Sequence, residues 1–237
     1  MNRAGAAPDT LPWQAPRGSK ARLTLALVGI AGLYAGAGAL TGFHPGVVLR
    51  ELPVFFRLLG EMVPPNWSVL PRLVEPFRQT LQMAVLGTAA GAVLAVPVVV
   101  LSARNLTRNP VVYYTARGIM NLLRTIPELL YAAIFVAAVG IGPFPGVLAL
   151  SVFSLAVVAK LASESVEAVD PGPLEALEAV GAGRWQLIRY AVVPQVAPLY
   201  VSYVLYVFEI NVRVSTVLGV VGAGGIGQRL MTSLSLF

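Results

Sequence analysis

Long runs without an acidic or basic residue dominate the chain. Residues 23–49 and 80–103 are two such runs, and each exceeds the roughly 20 apolar residues that a helix needs to cross a bilayer. A third run, 129–159, contains three Gly and two Pro at 140–146, which predicts a helical hairpin of two short spans. A fifth span is predicted at 190–208, before a glycine-rich tail. The pattern predicts an all-α integral membrane protein with about five to six transmembrane helices.

The composition agrees with this prediction. Hydrophobic residues make up 57% of the 237 residues and charged residues 12%, which is about half the charged fraction of an average soluble domain. The chain contains no Cys and one His, so a thiolate site and a multi-histidine metal site within it are excluded. The formal net charge is +6 without a basic run. We therefore expect no binding of nucleic acid and interpret the excess of Lys and Arg as a record of topology.

The positions of Lys and Arg predict a cytoplasmic N-terminus. In this orientation 11 of the 17 basic residues are cytoplasmic, including those of a tail at 1–22, and the transmembrane domain occupies 23–237. An external loop is predicted at 43–78, where residues 64–67 separate two amphipathic stretches, as is typical of an element on the membrane surface. Residues 23–37 also resemble a signal peptide, but the uncharged run continues beyond them, which favours an uncleaved anchor.

Small residues recur four positions apart in two predicted spans. The pairs are Gly32 with Gly36 and Gly87 with Gly91. Such pairs let the backbones of two helices approach closely, so they predict a packed bundle.

Three acidic residues recur at the inner end of the fourth predicted span. Glu164, Glu167 and Asp170 are spaced by three positions, which places them on one side of a helix. We interpret them as a solvated face, with Glu164 also four positions after Lys160.

A cytoplasmic loop is predicted at 163–195. Pro173 and the acidic residues after it suit the beginning of a helix. Gly181 then separates this short helix from a second one that leads to Pro194 at the membrane surface. The pattern predicts a compact helix-turn-helix outside the bilayer, which either binds a partner or packs on its own bundle. Its apolar residues are Leu177, Val180, Trp185 and Ile188.

In its spacing, this loop resembles the EAA signature of ABC importer permeases. The matching positions are Glu175, Ala176, Leu177, Gly181, Ala191, Val193 and Pro194. Leu177, Ala191 and Val193 replace the Ala, Ile and Leu of the family pattern. The resemblance implies a type I ABC importer permease fold, in which the loop is a coupling helix that binds in a cleft of the ATPase.

Five further segments resemble the phosphonate-type permeases of that family. They are 64–67, 123–129, 140–150, 208–213 and 217–227. The resemblance implies a permease subunit in the bacterial cytoplasmic (inner) membrane that translocates phosphonate or a related phosphorus oxyanion. It also implies three kinds of protein partner: ABC ATPase subunits, an extracytoplasmic solute-binding protein and a second permease copy in a homodimer.

The same resemblance implies that the energy comes from a separate subunit. No G-x-x-x-x-G-K-[ST] motif occurs in the sequence, so we expect no ATPase activity and no cofactor on this chain. ATP and Mg²⁺ would be used by the partner ATPase. The lipid bilayer would surround the permease.

The glycine-rich tail departs both from the usual length of the family and from a dinucleotide-binding site. Family members usually continue from such a stretch into a further membrane helix, whereas this sequence ends at Phe237, so we expect a missing last helix or a shortened version. Residues 222–227 also satisfy G-x-G-x-x-G. The second strand and acidic residue of a dinucleotide site do not fit into the ten residues that follow. We therefore expect a close-packed turn.

Few ionisable residues lie within or beside the predicted spans. Glu128 begins the third span, and Glu209 and Arg213 follow the fifth at a spacing that would pair them on a helix. With Asn211 they form a candidate translocation path, in which Arg213 attracts an oxyanion and Glu209 holds its side chain. Alternatively, the pair only fixes helix packing. An ion-coupled secondary carrier would use Glu128 or Glu209 as its titrating group, and an ABC permease for another small solute also remains open.

Overall fold

The computed structural model describes residues 19–42 and 45–235. These residues divide into two compact units, one before residue 67 and one from residue 67 onwards. Every regular element in these described ranges is a helix, which confirms the all-α prediction. The predictions for residues 1–18, which form most of the expected cytoplasmic tail, lie outside the described residues.

The first unit contains two helices, α1 (Ser19–Thr41) and α2 (Pro45–Glu61). The uncharged run 23–49 is therefore divided between them and is not one continuous helix. Gly42 adopts a φ of 69°, which favours glycine, and ends the first helix. Proline suits the first turn of a helix, so Pro45 begins the second. The segment Lys20–Thr41 is long and apolar enough to cross a membrane.

The second unit contains the remaining helices. They are α3 (Leu70–Ser102), α4 (Pro110–Thr125), α5 (Glu128–Val139), α6 (Pro143–Glu167), α7 (Pro171–Ala179), α8 (Arg184–Leu187), α9 (Val193–Leu218) and α10 (Gly225–Leu234). Three segments of this unit are long and apolar enough to span a membrane: Trp67–Ser102, Pro143–Glu167 and Arg184–Val221. With α1, the described residues thus contain four candidate spans.

A fifth candidate span is broken in the middle. Helices α4 and α5 meet at an angle of 89°, and only the two together are long and apolar enough to span a membrane. The break lies at Pro127, because proline lacks an N–H and disfavours a helical conformation in the residue before it. The predicted helical hairpin is formed by α5 and α6, but its first arm, the 12-residue α5, reaches the length of a span only together with α4. Its second arm was predicted to be short, which is wrong, because α6 continues to Glu167 without an internal breaker.

Glycines form the turn between α5 and α6. Gly140 and Gly142 have φ values of 101° and 151°, which other residues rarely adopt. The Gly142 N–H donates to the carbonyl oxygen of Gly222 at 3.0 Å. The turn before α6 and the turn after α9 therefore lie together at one end of the bundle, opposite the segment between α6 and α9.

Helices α3 and α6 pack closely in the centre of this unit. A Cβ on Gly87 would lie 2.5 Å from the Leu150 Cβ, and one on Gly91 would lie 2.4 Å from the Ser154 Cβ. Helix α9 packs against both helices, and the Tyr200 hydroxyl donates to the carbonyl of Ala92. The close approach predicted for the Gly87 and Gly91 pair is confirmed.

Candidate functional site

The segment between α6 and α9 begins with the short helix α7. The Asp170 carboxylate accepts a hydrogen bond from the Gly172 N–H at 3.0 Å, which caps this helix. The helix therefore begins at Pro171, slightly before the predicted start near Pro173. Gly181 follows it with a φ of 77°, a conformation that favours glycine after a helix. The predicted short helix and its glycine break are confirmed.

The second short helix continues into the membrane span. The Gly183 N–H donates to Gln186 Oε1 at 2.7 Å at the start of α8. A wider, π-helical turn, Ile188–Val192, joins α8 to α9, so that Arg184–Val221 is one helical segment. Pro194 lies in the first turn of α9. Because its ring removes a backbone donor, the helix widens just before it.

Gln195 attaches the loop to the base of α9. Its Oε1 accepts a hydrogen bond from the Asp170 N–H at 2.9 Å, and its Nε2 donates to the carbonyl of Ala191 at 3.0 Å. The cap of α7 and the first turn of α9 are thus held by one side chain. A displacement of α7 would therefore be transmitted to α9.

The signature residues differ in exposure. The exposed ones are Glu175, Ala176, Gly181, Val193 and Pro194, while Leu177 is half-buried and Ala191 is buried. Val180 and Trp185 are 79% and 78% exposed, whereas Ile188 packs against the core of the bundle. The predicted loop therefore packs on its own bundle through Ile188 and leaves Val180 and Trp185 exposed.

Polar contacts join three helices directly before this loop. Glu167 Oε2 accepts a hydrogen bond from Arg117 Nη2 at 2.8 Å, and its Oε1 accepts one from the Arg104 N–H at 2.7 Å. Arg117 Nε also donates to the carbonyl of Ser102 at 3.1 Å. About a quarter of each charged side chain in the Arg117–Glu167 pair is exposed. The ends of α3 and α6 are thereby fixed to the middle of α4.

The sequence analysis did not predict these contacts. The interpretation of a solvated acidic face is wrong for Glu167, which is largely buried and paired with Arg117. Glu164 and Asp170 are exposed and fit it: Glu164 pairs with Lys160 at 2.6 Å, and Asp170 caps α7. Residues 117 and 167 are fifty positions apart, so no local spacing reveals their contact.

Glu209 and Arg213 form an ion pair on the surface of α9. This helix ends at Leu218 and not at the predicted Phe208, so both residues lie within it. Arg213 Nη2 lies 3.0 Å from Glu209 Oε1, which confirms the predicted pairing. The side chains of Arg213 and Glu209 are 74% and 69% exposed. Both charges are therefore available outside the packed bundle.

The other two residues of the candidate path lie elsewhere. Asn211 is fully buried, and its Nδ2 donates to Thr88 Oγ1 at 2.8 Å and to Ser154 Oγ at 2.7 Å. Its Oδ1 has no hydrogen-bond partner among the described residues. Glu128 is half-buried in the first turn of α5. The structure therefore brings Glu209 and Arg213 together, while Asn211 connects α3, α6 and α9 in the interior.

The exposed side of α9 continues into a groove. Thr216 and Val220 follow Glu209 and Arg213 at helical spacing and line a groove of about 490 Å³. Arg229 of α10 contributes the basic side chain of this lining. The remaining lining residues are Leu73, Val217, Ile226, Gly227, Leu230 and Ser233. The groove thus carries Arg229 on a largely apolar wall, and Arg213 lies three residues before its Thr216 in α9.

The glycine-rich stretch is packed against α3. The Ile226 N–H donates to Thr80 Oγ1 at 2.9 Å, and the Gly225 N–H donates to Gln79 Oε1 at 3.4 Å. These two N–H groups stand at the start of α10, so both are paired within the protein and neither is left to bind an anion. The expectation of a close-packed turn is confirmed.

Comparisons with known proteins identify the class of this fold. Residues 95–237 match the model of a family described as the binding-protein-dependent transport system inner membrane component. A phosphate-import permease protein PhnE of Mycolicibacterium smegmatis is 39% identical over 223 residues, which cover 92% of this chain and 42% of that protein. The phosphite transport system permease protein PtxC of Stutzerimonas stutzeri is 44% identical over 189 residues, which cover 80% of this chain and 69% of that protein.

A solved structure shows the same architecture. A chain of the MetNI methionine ABC transporter in an inward-facing conformation has a TM-score of 0.62 and 26% identity. The match covers 69% of this chain and 80% of that chain. The predicted type I ABC importer permease fold is thereby confirmed.

Proposed function

The chain belongs to the family of binding-protein-dependent transport system inner membrane components, and we propose that it is the permease subunit of an ATP-driven importer for phosphonate or a related phosphorus oxyanion. The relatives named above are permeases for phosphate and phosphite, but the chain spans less than half the length of the first of them. The observation that carries the proposal is the loop with exposed Val180 and Trp185 at the end of the bundle.

The loop is the proposed contact with the ATPase. Helix α7 would bind in a cleft of an ABC ATPase subunit. Val180, directly after α7, and Trp185 of α8 would be the apolar contacts of the loop. ATP and Mg²⁺ would bind to that subunit and not to this chain, which acts as a transport subunit without enzymatic activity. Because Gln195 connects α7 to α9, closure of the ATPase pair would move the spans and alternate their access between the two sides.

The surface of α9 is the proposed cargo path. An extracytoplasmic solute-binding protein would deliver the oxyanion to the end of the bundle that carries the groove. A second permease copy would complete the path opposite Arg213 and Arg229. Two basic side chains along an apolar wall suit an anion that must bind weakly and leave again, as conduction through a membrane requires.

The coupling role is tested by copurification of the chain with its neighbouring ATPase. We expect wild type to bind the ATPase and to stimulate ATP hydrolysis. Glu175→Lys reverses an exposed charge of α7, and Gly181→Pro removes the positive φ of its turn, so both variants should lose binding or stimulation. Glu61→Lys is the matched control, because it reverses another exposed acidic charge, which lies in α2 outside the loop.

Two results would overturn this assignment. Retained ATPase stimulation in both loop variants would show that the loop does not couple. Uptake that persists without the ATPase and follows the proton gradient would instead establish an ion-coupled carrier.

The cargo path is tested separately by uptake of phosphite, phosphate and methylphosphonate. Arg213→Ala should abolish or strongly reduce uptake at normal membrane abundance and normal ATPase binding, whereas Arg213→Lys should retain part of it. Arg57→Ala is the control, because it removes a similarly exposed arginine from α2. Unchanged uptake in Arg213→Ala would restrict the Glu209–Arg213 pair to a role in helix packing.

A further inference from the structure

Helix α2 has an apolar side and a charged side. Leu52, Phe55 and Leu59 follow one another at three- and four-residue spacing, which places them on one side of the helix. Phe56 extends this side, and the four residues are between 38% and 64% exposed. Arg50, Arg57 and Glu61 lie on the opposite side at the same kind of spacing. These four apolar side chains thus share a face that the described residues leave uncovered.

The chain holds α2 beside the membrane. Only residues 42–44 separate α1 from α2, and one residue extends a chain by at most about 3.6 Å. Helix α2 therefore begins within about 15 Å of the end of a candidate span. The next candidate span begins at Trp67, and five residues separate it from the end of α2. With four charged residues among seventeen, α2 is itself too polar to cross the bilayer.

We propose that α2 lies along the membrane surface, with its apolar side inserted among the lipids at the boundary between headgroups and acyl chains. Arg50, Arg57 and Glu61 then face water. The two basic residues of α2 are balanced by Glu51 and Glu61, so the insertion rests on apolar burial and does not require anionic lipid. This role is independent of the transported solute and of the ATPase.

The absence of cysteine from the sequence allows a direct test. Single cysteines are introduced into the full chain as two matched pairs, Leu52→Cys with Arg50→Cys and Leu59→Cys with Glu61→Cys. The members of each pair are two positions apart and lie on opposite sides of α2. Each cysteine is spin-labelled in phosphatidylcholine vesicles, and its collisions with oxygen and with a water-soluble nickel chelate are measured. Leu33→Cys in the exposed surface of α1 serves as the reference for a lipid-facing position.

The proposal predicts a several-fold higher ratio of oxygen to nickel collisions at positions 52 and 59 than at positions 50 and 61. Adding phosphatidylglycerol should leave this difference unchanged. Equal ratios on both sides would overturn the proposal, because α2 would then lie in water. Exclusion of both reagents from positions 52 and 59 would also overturn it, because another protein surface would then cover the apolar side.

Discussion

Two helices carry the same pair of glycines, and only one pair is in contact. Gly87 and Gly91 of α3 lie so close to α6 that an added Cβ would overlap it. Gly32 and Gly36 of α1 have the same spacing, but among the described residues an added Cβ would meet nothing within 4 Å. The spacing therefore permits close approach without specifying it. In α3 the approach is fixed by Leu150 and Ser154, which face the two glycines from α6.

Gly91→Ala should cause the largest loss of stability. The new Cβ would lie 2.6 Å from the carbonyl oxygen of Ser151 and 2.8 Å from the Leu155 N, and backbone atoms of a packed helix cannot move aside locally. We expect a loss of about 3 kcal/mol, at the upper end of overpacking costs. Thermal unfolding of the purified chain in detergent measures it. A melting temperature equal to that of wild type would show that the two helices are farther apart than described.

The long apolar spans were predictable from the sequence because the bilayer imposes a length and a polarity on each of them, whereas the bent α4–α5 pair was not predicted. The positions of Gly and Pro likewise predicted the turn at Gly140 and the break at Gly181. The end of the last span was not predicted, because Glu209 and Arg213 terminate the uncharged run. Their mutual pairing lets α9 continue through them.

Contacts between distant segments could not be predicted in the same way. Arg117 meets Glu167, and Asn211 meets Thr88 and Ser154, only after the helices are packed. The spacing of charged residues along one helix contains no information about such partners. The same limit explains why the two glycine pairs could not be distinguished from the sequence alone.

Glu167→Gln tests whether the close contact of α3 and α6 extends to the loop end of the bundle. The substitution retains the shape of the side chain and removes the charge that pairs with Arg117. Because this pair is about three-quarters buried, we expect a loss of about 1–2 kcal/mol, between the values for exposed and buried pairs. Glu164→Gln, in the more exposed pair with Lys160, is the control and should cost less. An equal effect of both variants on the melting temperature would contradict the network at Glu167.

Asn211→Leu tests how α9 is attached to the packed pair. It removes two hydrogen bonds, one of them to the Ser154 that faces Gly91. Hydrogen bonds between membrane helices contribute about 0.6 kcal/mol on average, so we expect a loss of about 1 kcal/mol. Asn121→Leu replaces an exposed asparagine of α4 and should leave the melting temperature unchanged. A loss as large as that of Gly91→Ala would show that polar contacts, and not close packing, dominate this region.

Gly36→Ala should have the smallest effect on the melting temperature, and for that reason it tests the comparison of the two glycine pairs most directly. The added methyl group has open space around it, and alanine favours a helix over glycine by about 1 kcal/mol. The melting temperature of the purified chain should therefore stay the same or rise slightly. Copurification with the ATPase should also be unchanged. If Gly36→Ala instead lowers membrane abundance or disrupts the assembled transporter, then α1 packs through its glycines against a helix of another chain. In that case the two glycine pairs differ only in whether their partner belongs to the same polypeptide.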